Sequence, residues 1–389
     1  MEFIILPPVN GGPFKNERNL LGLGLAERAR LMLEKAGGVE AADLSGDSDL
    51  VLYPGELVGP PILGNEIASF HQNSTEITAL RPRSHGRPVI VVGSEVRSGL
   101  ASAAGSAEKA YNMAQDHTIR WVDLKRPSIP VTDKASWKKA RRMLLSSLRK
   151  RVDGLISRTV NRPISIAISG ILAKTPITPN MLSLITFVTA LAASAAMATS
   201  NFLAGGLLLQ FSSILDGCDG EVARLKYQSS RLGAWLDTVL DDVSTVIFAL
   251  AMGYGLYNYF GGSTGQLFLG LCLVAVLLTL PAYWVTYSRL IVNGTTDSGG
   301  VSFSKSPDAS WFRNFLVVYL QPIAKRDGYI FLFMLLCAAG LPWMVAVMYF
   351  VGATLTALTI ITDRSPSNSR YDITGSHPNI VTTAEIRTR

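Results

Sequence analysis

The segment "SSILDGCDGEVARLKYQSSRLGAWLDTVLDD" (212–242) carries six acidic residues between two runs that otherwise read as membrane helix. An ionisable group within such a run is costly and by default marks function. The acids and their small neighbours follow one pattern: Asp216, Asp219, Gly220, Ala223, Arg224, Gly233, Asp237, Asp241. On a helix the first five fall within an arc of roughly 140°. Gly233, Asp237 and Asp241 step by four along one stripe of the next helix. A short turn joins the two helices, so the stripes can face each other and bring four carboxylates together. Unpaired, they would repel, and desolvation would drive them to protonate. A divalent cation relieves both effects. Carboxylate oxygens without Cys or His suit Mg²⁺ or Mn²⁺, and four of them could hold two ions. Two-ion sites serve displacement at phosphorus. Gly220, Ala223 and Gly233 clear bulk from the same faces for close helix packing or a flat ligand. Arg224 offers a fork for a phosphate oxygen. A polar packing seam would account for the small residues but not for four aspartates at this spacing.

Six apolar segments must position these groups: 179–199, 202–226, 231–258, 265–289, 325–341 and 343–362. Each approaches spanning length. Thr178 and Pro179 give the first a cap and a proline at its first helical position. The connections 199–202, 259–265 and 341–343 lack Lys and Arg, whereas Lys226, Arg231, Arg289, Lys305, Arg313, Lys325 and Arg326 lie at the other ends. That asymmetry predicts cytoplasmic termini in the inner membrane. The net charge of +7 therefore reads as cytoplasmic flanks and anionic-lipid contacts, with no nucleic-acid partner. Only 17% of the 389 residues are charged, low for a soluble enzyme.

Residues 1–133 are mixed in character and read as a small cytoplasmic α/β domain with a largely parallel sheet. Strands are expected at 2–7, 48–53, 88–93 and 118–123, and helices at 24–36 and 97–115. "MEFIILPPVNGG" has no basic start or small-residue cleavage site, so no secretory leader is expected. Residues 134–177 read as a basic amphipathic helix (134–152) and a second interfacial helix (153–175). Residues 363–389 form a polar tail. Cys218, Cys272 and Cys337 lie far apart in apolar runs and predict neither disulfide nor zinc.

The eight-position pattern resembles that of the CDP-alcohol phosphotransferase family, and every motif position is filled. The resemblance implies a six-helix membrane enzyme, commonly a homodimer, in which an acceptor hydroxyl displaces CMP from a CDP-linked donor. It implies Asp216, Asp219, Asp237 and Asp241 as metal ligands, with Asp241 also the general base and Arg224 assisting. It further implies that Asp216, Gly217, Gly220, Ala223, Arg224 and Gly233 border the CDP moiety. Within the family, "DGLISRTVNRPIS" (153–165), "TPNMLSLI" (178–185), "LLLQFSSILDGCDGEVAR" (207–224) and "KRDGYIFL" (325–332) resemble di-myo-inositol phosphate phosphate synthases. Those enzymes resemble phosphatidylinositol phosphate synthases in taking inositol phosphate as acceptor. Lys325, Arg326 and Arg289 are the candidates for its phosphate. The donor is either CDP-inositol or CDP-diacylglycerol.

In those synthases a nucleotidyltransferase-like, Rossmann-like domain often precedes the membrane part. Here Pro7 and Pro8 stand where a triphosphate-cradling loop needs backbone N–H groups, and Gly11–Gly12 is a weak phosphate signal. A degenerate, non-catalytic domain is expected. Two readings from other classes remain: a divalent-metal transporter using the carboxylates, and an inactive membrane scaffold. CMP release from a CDP-linked donor separates the enzyme from both.

Overall fold

The computed structural model describes residues 1–7, 19–45, 48–71, 76–83, 86–117, 120–150, 153–293 and 325–362. The tail, the stretch holding Lys305 and Arg313, and the loop holding Pro8 and Gly11–Gly12 lie outside the described residues.

The amino-terminal part is built on a six-stranded sheet. Its strands, in spatial order, are β4 (Val39–Glu40), β1 (Glu2–Leu6), β5 (Leu50–Pro54), β8 (Val89–Val92), β7 (Ile77–Arg81) and β9 (Arg120–Asp123). The sheet is mixed, which corrects the largely parallel expectation. β1 runs parallel to β4 and β5, and β7 parallel to β9, but β8 is antiparallel to both β5 and β7. β5 and β8 are buried along their whole length, as central strands covered on both faces must be. The expected helix 97–115 is two helices, α3 (Ser94–Ala104) and α4 (Ala107–Asp116). Gly105 adopts φ 65° between them and Ser106 caps the second. α1 (Leu25–Lys35) and α2 (Leu63–His71) pack on one face of the sheet with Val51, Tyr53 and Val91, and α3 and α4 pack on the other with Leu50, Leu52 and Val92. Four short strands lie outside this sheet, β2 (Asn19–Leu20) pairing β3 (Leu23–Gly24) and β6 (Leu57–Val58) pairing β10 (Ile129–Pro130).

The basic helix is α5 (Lys134–Ser146), opened by a capping box between Asp133 and Ser136. A π-turn at Ser157–Asn161 leads into α6 (Arg162–Leu172). The bundle follows: α7 (Pro179–Ala198), α8 (Phe202–Leu225), α9 (Arg231–Phe260), α10 (Gly262–Asn293), α11 (Arg326–Ala338) and α12 (Pro342–Thr362). α7, α9 and the Gly262–Pro281 part of α10 are long and apolar enough to cross a membrane. Large apolar side chains such as Leu184, Leu207 and Leu277 are exposed on the bundle surface. An outward apolar face of this kind suits lipid as solvent. The buried centre is built from Met197, Phe248, Met252, Leu256, Phe333 and Ala346.

The sheet part docks on the turn between α8 and α9. Arg28 of α1 is 2% exposed and donates to Leu225 O at 3.0 Å and Leu20 O at 2.6 Å. Its guanidinium lies 5.6 Å from the centroid of the Tyr227 ring. Lys35 donates to Ser229 O at 2.7 Å. Gly22, at φ 86°, passes so close to α6 that a Cβ there would meet Ala173 O at 2.1 Å. Arg28→Ala would strand the Leu225 carbonyl at the end of α8 and cost about 1–3 kcal/mol. A lowered midpoint in thermal unfolding of the detergent-solubilised chain is the expected result. An unchanged midpoint would show that this contact does not hold the two parts together.

Candidate functional site

Local capping brings the two motif stripes together. Ser230 caps α9, its hydroxyl accepting from Gly233 N–H at 3.0 Å. Lys226 ends α8 and donates to Thr175 O at 2.6 Å and Ile177 O at 2.8 Å, tying the turn to the start of α7. Thr178 caps α7 by accepting from Met181 N–H. The last turns of α8 and the first turns of α9 therefore meet at one end of the bundle, where both helices pack on α7.

There Asp216, Asp237 and Asp241 each present a carboxylate oxygen within 4.8 Å of the others. Asp216 Oδ1 is buried without a hydrogen-bond partner. An orphaned carboxylate oxygen beside two further carboxylates fits a hard divalent cation. Asp219 stands outside this trio. Its oxygens accept from the Ser183 hydroxyl at 2.6 Å and from Gly220 N–H. Arg326, the first residue of α11, donates both guanidinium N–H groups to Asp241, and its Nη1 lies 3.8 Å from Asp216. Asp237, Asp241, Arg326, Tyr329, Ser244 and Thr186 line a small cavity of about 40 Å³.

The small residues divide into different settings. A Cβ on Gly220 would meet only Arg224 Nη1, at 3.5 Å, so this side stays open. One on Gly233 would meet Asn180 Oδ1 and Ser230 Oγ, each at 3.0 Å. Gly217 instead faces α6, where a Cβ would lie 3.4 Å from Ser165 Oγ and 3.5 Å from Arg162 Nη1. Ala223 is buried and Arg224 half-buried. Lys325 is exposed at the start of α11. Arg289 lies on α10, but its side chain falls outside the described residues.

Glu221 lies outside the eight-position pattern, yet it is fully buried and organises a polar latch between α8 and α6. It accepts from Arg162 at 2.7 Å, Ser165 at 2.8 Å and Ser169 at 2.7 Å. Arg162 also forks onto Asp153, at 3.1 Å to each oxygen. About two to three turns earlier on α8, Gln210 donates to Asn161 at 2.8 Å and Asn161 to Ser213 at 3.3 Å. A buried acid with every oxygen satisfied fixes the register of the helix that carries it. The available signal was an ionisable residue in an apolar run that the metal-site pattern left unused.

Residues 176–358 match the family model described as CDP-alcohol phosphatidyltransferase. The match runs from the start of α7 to near the end of α12, so the helical bundle is similar to that domain. It is 32% identical over 249 residues to a protein of Archaeoglobus fulgidus named "Bifunctional IPC transferase and DIPP synthase". That match covers 62% of this chain and 44% of the relative, so the chain spans less than half of that protein's length. A Pyrococcus horikoshii protein named "Archaetidylinositol phosphate synthase" is 30% identical over 148 residues, 38% of this chain and 66% of the relative. Among solved structures, the Mycobacterium tuberculosis phosphatidylinositol phosphate synthase with CDP-DAG bound aligns over 52% of this chain and 99% of its own. The alignment has 17% identity and a TM-score of 0.33.

Proposed function

We propose that the chain is a membrane CDP-alcohol phosphotransferase that moves a substituted phosphate from a CDP-linked donor to a hydroxyl of a phosphorylated polyol, releasing CMP. The observation that carries this reading is the carboxylate trio with its orphaned Asp216 oxygen, set within the matched family region. Asp216, Asp237 and Asp241 would hold Mg²⁺ or Mn²⁺, with Asp219 completing a four-carboxylate, two-ion site if Ser183 releases it. The bound cation would supply charge neutralisation at the donor diphosphate. Asp241 would take the proton from the acceptor hydroxyl as the new P–O bond forms. The bond between the two donor phosphorus groups breaks, and its electron pair leaves with CMP. Arg224, beside the open face at Gly220, would steady the donor phosphates, with Gly217, Ala223 and Gly233 shaping the surroundings of the cytidine group.

Six spans, cytoplasmic termini, an inner-membrane location and a homodimer belong to the same proposal. Inositol phosphate is the favoured acceptor, in keeping with the names of the similar proteins. The donor in this proposal is either CDP-inositol or CDP-diacylglycerol. The test is to incubate the purified chain with Mg²⁺, inositol phosphate and either CDP-inositol or CDP-diacylglycerol, then identify products by mass spectrometry. CMP with neither donor would sink the reading.

The amino-terminal part is proposed to be non-catalytic. Glu56 and Glu108 both engage Arg87, at 2.8 and 2.9 Å, and Arg87 also donates to Pro7 O at 2.8 Å. These groups close the carboxyl ends of β1 and β5, the edge where open α/β sheets receive ligands. The full chain carrying Asp237→Asn is expected to release no pyrophosphate from CTP and inositol phosphate. Pyrophosphate release in that assay would assign the sheet a nucleotidyl-transfer activity.

A further inference from the structure

A second cavity, of about 260 Å³, opens between the end of α5 and the start of α6. It is lined by Arg149, Lys150, Asp153, Arg158 and Arg162. Four cations thus face one carboxylate. That carboxylate is already committed, since Asp153 takes both arms of Arg162 and the Lys150 backbone N–H at 2.9 Å. Arg162 is further neutralised by Glu221. Arg149 and Lys150 therefore add positive charge beyond what Asp153 answers, beside an Asp153–Arg162 pair that the α6–α8 latch holds. Although Lys150 is exposed as a residue, desolvation and then the nearby Arg224 and Arg162 push its ammonium below its ordinary value. A cation crowded in this way gains from an anion brought beside it.

The surroundings say which kind of anion. The same segment exposes large apolar side chains, Leu155 at 61%, Ile164 at 43% and Ile171 at 64%. On the α5 side of the cavity Lys138, Lys139 and Arg142 are exposed. Apolar side chains at one level and cations at the next are the arrangement of a helix lying in a membrane interface. A soluble phosphate compound would gain nothing from Leu155, Ile164 and Ile171. A lipid gains from both, its acyl chains meeting the apolar side chains and its phosphate the cations.

We propose that this cavity is a binding site for the phosphate group of an anionic phospholipid headgroup, formed by Arg149 and Lys150 over the Asp153–Arg162 pair. The site adjoins the carboxylate trio through Arg162, Glu221 and α8, so a bound lipid would brace the motif-bearing end of the bundle. It rests on the membrane placement proposed above. Incorporation of the chain into nanodiscs, whatever their lipid, tests that placement separately.

The test uses the full chain in nanodiscs of pure phosphatidylcholine or with added phosphatidylglycerol. Native mass spectrometry counts retained lipid, and thermal unfolding reports stabilisation. Wild type should retain phosphatidylglycerol and unfold at a higher temperature in the anionic discs. Arg149→Gln with Lys150→Gln should weaken phosphatidylglycerol retention by about tenfold or more, from the loss of charge-assisted contacts. Lys138→Gln with Lys139→Gln removes the same charge outside the cavity and should change retention little. Equal losses in the two double variants would reduce the effect to a diffuse basic surface and overturn the site. So would a response to inorganic phosphate in phosphatidylcholine discs with none to phosphatidylglycerol, which would make the cavity a soluble-phosphate site.

Discussion

Asp237→Asn abolishes CMP release while leaving the bundle as stable as wild type or more so. The two halves of that expectation come from one geometry. Asp237 shares the 4.8 Å trio with Asp216 and Asp241. Unlike Asp216 and Asp241, it forms no ion pair with Arg326 that its loss would break. Asparagine keeps the shape and one oxygen but removes a charge from a crowded set of acids, which relieves repulsion in the folded chain. The same charge is needed to hold a divalent cation. Disturbing residues that merely orient metal ligands costs about 10–100-fold, so losing a ligand's charge should cost at least about a hundredfold in activity. Thermal unfolding with and without Mg²⁺ gives a readout independent of turnover. Wild type should be stabilised by the ion, and Asp237→Asn should lose most of that shift. Activity above about a tenth of wild type, with the Mg²⁺ response intact, would remove Asp237 from the metal site.

The bundle was legible in the sequence because its signals are local. Apolar length, charge at alternate connections and the Thr178–Pro179 start place every helix end within a few residues of where it falls. The spacing of the acids likewise anticipated that Asp216, Asp237 and Asp241 would meet, since a turn capped by Ser230 leaves two helices little choice but to lie antiparallel. What escaped was pairing across long stretches of chain. Glu221 meets Arg162 over a separation of 59 residues, and Asp219 meets Ser183 over 36. Nothing in the local pattern of either residue says that a serine or arginine waits on another helix. The direction of β8 escaped for a related reason. "VIVV" is an equally good buried strand in either sense, and its antiparallel run is set by β7, an "ITALR" segment less continuously apolar than "VIVV" and so harder to pick out.

Arg326 is where the sequence reading and the geometry meet most sharply. Its place at the start of α11 suggested a contact for the acceptor's phosphate. The structure engages it with Asp241, the proposed base, and sets it 3.8 Å from Asp216. A guanidinium there can serve in two ways. As a phosphate contact it binds acceptor equally in ground and transition states. As a clamp on Asp241 it governs the proton transfer. The first role moves KM and the second moves kcat. A phosphorylated polyol carries close to two negative charges, Arg326 lines the Asp241 cavity, and the residue before it, Lys325, is exposed. The expected outcome is therefore that Arg326→Ala raises the acceptor's KM by about one to two decades, the worth of a charge-assisted contact of about 1.5–3 kcal/mol. The donor's KM should change much less. Steady-state kinetics with each substrate varied in turn would decide between the roles. A lowered kcat at unchanged acceptor KM would make Arg326 the clamp on Asp241, and a neutral polyol accepted as well as its phosphate would point the same way.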